Sequence, residues 1–480
     1  MRTVVVVGGG IAGMAAAYYL ERFADRDGQD LKVTLVERDA RLGGRAGTET
    51  VDGFLLDTGP DSFMSQKPWA VQLCEELGMG DEVISPLARK FYMLIRGRLH
   101  SVPHELVSLV PTKPEALWKA SFLSPFAKIR ASSEGLVRAR LDCEDESLAH
   151  FMRRRFGREF AVRFAEPLMG GVHAGHPDEM SMASVYPMYW QMERKHGSVT
   201  RAILERRRAA KSGSSRQSMA PFVALRHGMA SLVDKLSASL RSRVLLGTEV
   251  QGIEPSADGG ARVALSGGDR IGADAVLLAN PSCDAAELVR SWAPDAAGLL
   301  DEIRYASTAV VSLAYRREQV GNPLDGSGFL VPRSETSDVT GCTWSSNKWE
   351  GRAPEGMVLM RAFMGYAGND RMVEDLAEEA LARRAHEALA RILGIDGPPA
   401  FERVYRLVRA MPQYDVGHLQ LLESIEKELA PWPAVSLTGS SYRGVGVPDC
   451  VRQGKESAER IVRRLYPGAR ERPKGLTHET

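Results

Sequence analysis

Cysteine is scarce and scattered in this 480-residue chain: Cys74, Cys143, Cys283, Cys342 and Cys450 are odd in number and form no Cys-x-x-Cys pair. That excludes a disulfide framework and a structural zinc site, and it fits reduced thiols. Net charge is equally lacking, since 62 basic residues against 61 acidic ones leave +1. No global field would draw such a protein to nucleic acid, so no nucleic-acid partner is expected and any charge function must be local. No window approaches the roughly 20 apolar residues of a membrane span. The start, Met1-Arg2-Thr3 and then Val4 to Val7, lacks the apolar stretch and cleavage site of a signal peptide. These absences predict a cytoplasmic protein, with peripheral contact at a membrane left open.

What is present is ordinary globular composition, 44% hydrophobic and 26% charged, in a chain long enough for two or three packed domains. The β-branched run Thr3 to Val7 stops at Gly8-Gly9-Gly10-Ile11-Ala12-Gly13, and helix-forming residues follow from Met14 to Glu21. Strand, glycine turn and helix in that order predict a dinucleotide site. Gly8 permits the tight turn, Gly10 lets backbone approach a pyrophosphate, and Gly13 lets the helix lie close to the strand. The helix then aims free N–H groups at the phosphates. A second strand, Leu31 to Val36, ends at Glu37, 24 residues after Gly13, where a carboxylate suits ribose hydroxyls. Arg38 stands beside it.

Directly afterwards come Arg41-Leu42-Gly43-Gly44-Arg45 and Asp57-Thr58-Gly59-Pro60-Asp61-Ser62. This pairing resembles the second signature of the flavin amine oxidase superfamily. The resemblance implies FAD, with Gly44 and Arg45 near the pyrophosphate, Gly59 to Ser62 beside the flavin, and Val250 against the adenine. It also places Val445, Gly446 and Val447, at the start of a helical stretch reaching Arg464, at the pyrimidine end of the flavin. The implied fold is α/β: a discontinuous Rossmann-like FAD-binding domain, a mixed-sheet substrate domain and a helical domain. The expected division is 1–86, 217–284 and 434–480 for FAD, 87–216 for a helical segment facing substrate or membrane, and 285–433 for substrate.

Within that superfamily the chain is similar to the Gram-positive-type coproporphyrinogen III and protoporphyrinogen oxidases. Four separated segments carry the similarity: Gly59 to Phe63 with Lys67, Glu166 to Gly171 with Ala174-Gly175, Met411 to Tyr414 with Val416 to His418, and Gly444 to Cys450. His173, His176 and Leu407 depart from the residues usual there. The resemblance implies oxygen-dependent oxidation of a porphyrinogen in haem biosynthesis, releasing hydrogen peroxide, with coproporphyrinogen III as substrate and protoporphyrinogen IX as the alternative. Amine oxidase, carotenoid desaturase and a non-catalytic FAD-bound scaffold are more distant readings.

Flavin would carry the chemistry, so no catalytic triad or metal site is required. His173, His176 and His418 are candidate proton acceptors, and Lys67 is the first choice to pair a propionate. Arg89, Lys90, Arg96 and Arg98 add cations suited to a four-carboxylate substrate. From Arg194 to Arg216 there are eight Lys or Arg and one acid, Glu205. That stretch reads either as a solvated helix face or as a surface for anionic lipid or a later haem-pathway enzyme. Trp344 and Trp349 read as core or as pocket lining.

Overall fold

The computed structural model describes residues 1–106, 114–211, 219–257 and 259–467. Its first sheet is wholly parallel. Strand Arg2–Val7 lies at the centre, flanked by Leu31–Val36 with Arg243–Leu245 outside it, and by Ala275–Leu278 with Val435–Leu437 outside it. Its strands therefore come from three stretches far apart in sequence. Both faces of the sheet are covered, which is why Val4, Val5 and Val6 are all fully buried rather than alternating. Helix Ile11–Arg26 covers one face, and helix Val447–Leu465 packs on that helix. Gly454 makes the crossing close, since a Cβ there would lie 2.5 Å from the Ala12 carbonyl oxygen. A three-stranded antiparallel sheet, Val250–Pro255, Ala261–Leu265 and Arg270–Ala273, sits beside this layer.

A seven-stranded mixed sheet runs in the order Phe401–Pro412, Tyr305–Arg316, Met357–Met364, Gly341–Trp344, Gly328–Leu330, Tyr92–Ile95 and Arg98–Ser101. Tyr305–Arg316 and Met357–Met364 pair along most of their length, Ala309 opposite Met364 through Arg316 opposite Met357. On one face of this sheet lie two helices, Arg371–Asp375 and Glu378–Leu393, separate because Leu376 and Ala377 are extended. Leu381, Ala385 and Leu389 of the longer piece pack against Ala309, Val311 and Leu313 of the sheet. The last two strands fall inside the stretch expected to be helical. Arg96 and Gly97 both have positive φ (50° and 69°), the two-residue turn that suits a hairpin's twist.

Helices Pro114–Lys119, Pro125–Ser132, Leu148–Phe156, Glu166–His173, Pro187–His196 and Val199–Lys211 make the helical layer. A buried ion network holds it. Arg155 is fully enclosed, donates to Glu134 and Glu193, and reaches the carbonyls of Val137 and Gly197. Glu134 also accepts from Ser198 Oγ and from the backbone N–H groups of Val199 and Thr200, which caps the arginine-rich helix. Burial alone would raise its pKa; the Ser198 hydroxyl and Arg155 reverse that and hold it below the usual range. Arg153 pairs with Glu166 and Asp178, and Arg154 with Glu193 and Glu146. The loop from Ser212 to Ser215, and Arg216, lie outside the described residues.

Candidate functional site

The two glycine-rich segments meet. Gly43 N–H donates to the Gly9 carbonyl at 2.8 Å, and Gly10 and Gly43 form a parallel bridge. Gly8 turns the chain with φ +104°, and a Cβ on Gly13 would lie 1.9 Å from the Gly8 oxygen. A Cβ on Gly10, by contrast, meets no protein atom within 4 Å. Gly13 is thus required by the chain's own packing, whereas the space beside Gly10 is open to a ligand. Ile11 and Ala12 begin the helix whose free N–H groups face that space.

Glu37 is nearly buried, and its carboxylate accepts from Gly9 N–H (2.6 Å) and Asp39 N–H (2.8 Å). Two of roughly four lone-pair positions remain for hydroxyl donors. Arg38 pairs with Asp284 at 3.1 Å, and Val250 opens the antiparallel sheet at the same rim. Arg45 lines the cavity with no carboxylate partner among the described residues, and burial pushes its guanidinium pKa down. Asn280 also lines it, and its buried Oδ1 has no hydrogen-bond partner among the described residues. Open glycine backbone, a helix start, an uncompensated arginine and a half-used carboxylate together fit the pyrophosphate and ribose of FAD.

Gly59, Pro60, Asp61 and Ser62 continue the wall. Arg361 donates to the Gly59 carbonyl at 2.6 Å and stands 3.1 Å from Asp61, while Lys348 Nζ is 3.9 Å from the same carboxylate. Burial would raise the Asp61 pKa, but Lys348, Arg361 and the Ser62 hydroxyl outweigh it and hold the group well below the carboxylate range. Across the cavity, Gly446 is the N-cap of helix Val447–Leu465, and Val445, Gly446 and Val447 all line the wall. Tyr414 fixes the preceding loop, donating to the Ser440 carbonyl (2.6 Å) and accepting from Gly444 N–H (2.8 Å). His418 stacks on Tyr414 at 4.1 Å and bonds the Tyr442 carbonyl through Nε2. It is a buttress rather than part of the cavity lining.

These surfaces enclose one continuous cavity of about 2460 Å³. A pocket for a single small molecule is usually about 300–1,000 Å³, so this one has room for a dinucleotide and a second large molecule. Its far wall is helix Glu166–His173, approached through a wide helical turn at Ala161–Ala165 and closed by Ala174 at φ +47°. His173 faces the cavity, and burial, reinforced by Lys67, lowers its pKa to about 4. His176 is partly exposed, 3.8 Å from Asp178.

Lys67 also lines the cavity, but its ammonium already donates to Asp449 at 2.6 Å. Asp449, in the first turn of helix Val447–Leu465, escaped the sequence reading, as did Lys348, Arg361 and Arg333. Of the four cations at 89–98, Arg89 lines the cavity, and Lys90 is tied to Asp325. Arg96 and Arg98 do not line it. Trp344 and Trp349 are wholly buried, outside the lining.

No cluster of metal-ligating side chains occurs among the described residues, and no helix among them is long and apolar enough to cross a membrane. The family model of flavin containing amine oxidoreductases matches residues 11–462. The coproporphyrinogen III oxidase of Bacillus subtilis is 34% identical, covering 96% of this chain and 98% of its own. The protoporphyrinogen oxidase of Bos taurus is 32% identical, covering 96% and 98%. A crystal structure from Exiguobacterium sp. 255-15, provisionally named protoporphyrinogen oxidase, superposes with a TM-score of 0.83 at 32% identity, covering 96% and 98%. With its dinucleotide wall and this match across nearly its whole length, the chain belongs to the flavin containing amine oxidoreductases and is an FAD-dependent enzyme.

Proposed function

We propose that the protein oxidises coproporphyrinogen III to coproporphyrin III in haem biosynthesis. Six electrons and six hydrogens leave the substrate while three molecules of oxygen become three of hydrogen peroxide. The observation that carries this reading is the joint cavity: an FAD wall at one end and, continuous with it, a chamber walled by Glu166–His173 that is large enough for a tetrapyrrole. Similarity to relatives named coproporphyrinogen III oxidase and protoporphyrinogen oxidase over almost the full chain supports it.

When bound, FAD supplies a hydride acceptor. The chain's own work is placement. Gly8 to Gly13, Glu37, Arg38, Gly44, Arg45, Gly59 to Ser62, Val250 and Val445 to Val447 hold the cofactor. The Lys67–Asp449 pair holds charge where the two ligands meet. His173 is neutral at pH 7 and can accept a hydrogen bond from a pyrrole N–H at a ring nitrogen, while burial and Lys67 oppose its taking the proton outright. The division into a three-part FAD domain (1–86, 217–284, 434–480), a helical segment (87–216) and a substrate domain (285–433) belongs to the same proposal, with residues 468–480 outside the described structure. So does a cytoplasmic location with peripheral contact at a membrane or a later pathway enzyme; exposed Trp118, Phe126 and Ile129 beside Lys128 offer a fitting surface.

The test supplies coproporphyrinogen III and protoporphyrinogen IX anaerobically to equal enzyme, admits oxygen, and follows porphyrin fluorescence against a no-enzyme control. A higher kcat/KM for coproporphyrinogen III is expected. Preference for protoporphyrinogen IX would assign the alternative substrate, and no rate above background would remove the haem assignment.

A further inference from the structure

Several cations lining the large cavity are already spoken for, and Arg45 stands at the dinucleotide end. Arg38 pairs with Asp284, Lys67 with Asp449, Arg443 with Glu426 and Arg452 with Glu456. Arg333, three residues beyond the end of strand Gly328–Leu330, is different at the far end. Its guanidinium lies 4.0 Å from the centre of the Tyr366 ring and donates through Nη2 to the Gly175 carbonyl at 2.7 Å. No carboxylate stands within ion-pair distance of it among the described residues. The three acids that act on it electrostatically are committed elsewhere: Glu166 and Asp178 to Arg153, and Glu179 to Arg304. Both anchors hold the planar group in place and leave donors of its five-proton fork unused.

We propose that Arg333, stacked on Tyr366 and tethered to Gly175, is a carboxylate-binding residue that recognises an acidic side chain of the macrocyclic substrate. The inference rests on the porphyrinogen reading above and deepens it. A fixed guanidinium facing a cavity and lacking an acid is arranged for an incoming one, since a charge-assisted bidentate pair then compensates its loss of water. Tyr366 contributes a ring face that keeps the fork in one plane. Gly175 connects the clamp to the Glu166–Gly175 segment, so the carboxylate is read beside the wall that bounds the macrocycle. Two anchors from different elements make this a specificity-determining site rather than a diffuse basic surface.

The test uses the full-length, FAD-loaded protein and two probes, coproporphyrin III and its tetramethyl ester, with binding read from quenching of porphyrin fluorescence. Arg333→Gln is expected to weaken the acid about tenfold and the ester by less than about twofold. KM for coproporphyrinogen III should rise in step while kcat and FAD content hold. Arg333→Lys should recover part of the loss, since an ammonium keeps the charge without the planar fork. Equal weakening of acid and ester, or no change in either, would overturn the assignment. The two readings fail separately. If the wild type binds coproporphyrin III through Arg333 yet oxidises no porphyrinogen, the carboxylate site stands and the proposed function falls. If oxidation proceeds and Arg333→Gln changes neither binding nor KM, the reverse holds.

Discussion

The two ends of the large cavity are built by different means. At the dinucleotide end the surface is mostly backbone: Gly8 to Gly10 and Gly43-Gly44 are brought together by main-chain hydrogen bonds, and Glu37 is held by two N–H groups. At the far end it is mostly side chains, with Lys67, His173 and Arg333 arriving from elements remote in sequence. Backbone recognition tolerates almost no added atom but carries little specificity. Side-chain recognition tolerates substitution and sets which molecule is taken.

The largest expected effect separates two glycines of the same turn. Gly13→Val should give no folded protein, because its Cβ would lie 1.9 Å from the Gly8 oxygen. Gly10→Val should fold, with native circular dichroism, but purify colourless, because its side chain projects into the open space proposed for the pyrophosphate. Full flavin content in Gly10→Val would remove the backbone account of that end.

Next is the wall behind the far end. Arg155→Met leaves Glu134 without its only ion-pair partner among the described residues in a closed interior, while Glu193 keeps Arg154. Removing one partner of such a network costs about 3–5 kcal/mol, visible as a large fall in melting temperature. An unchanged melting temperature would mean that Glu134 takes up a proton without loss.

Lys67 sharpens the comparison because it belongs to both ends. Lys67→Gln is expected to raise KM for coproporphyrinogen III about tenfold while flavin stays bound. A double-mutant cycle with Asp449→Asn, read on both KM and flavin content, separates the roles. If flavin content alone responds, Lys67 serves the cofactor-end helix and not the substrate.

These contrasts follow what could be read from the sequence. The glycine turn and Glu37 were legible because strand, turn and helix are local and periodic. Lys67 was legible as a candidate, but not its partner 382 residues away, and Arg361 beside Asp61 needed the seven-stranded sheet to bring it there. The hairpin at 92–101 was missed although Arg96-Gly97 is a turn signal, since arginine and helix formers dominate its surroundings. Residues 411–418 were legible as a pattern. That Tyr414 and His418 support the loop at 440–444 was not, because hydrogen bonding to carbonyls leaves no trace in spacing.

The smallest effect is in acid. His173 has a folded-state pKa of about 4, below the ordinary 6.5. Between these values the unfolded chain binds more protons than the folded one, so this residue's contribution to stability is complete above pH 6.5 and declines as pH falls toward 4. In His173→Tyr the slope of melting temperature against pH over that interval should be shallower. An identical slope would show that His173 does not titrate alone.

The central sheet gathers its strands from the beginning, middle and end of the chain, and its last strand and the helix packed on Ile11–Arg26 lie beyond residue 434. Synthesis proceeds from the N-terminus, so a nascent chain displays the glycine turn long before anything can close over it. A ribosome that stalls before residue 435 leaves a half-walled cleft with the edge of strand Ala275–Leu278 unpaired, a surface that invites other strands. The partner of that edge strand, and the wall that Val445 to Val447 add to the cavity, are therefore the last parts of the site to be made.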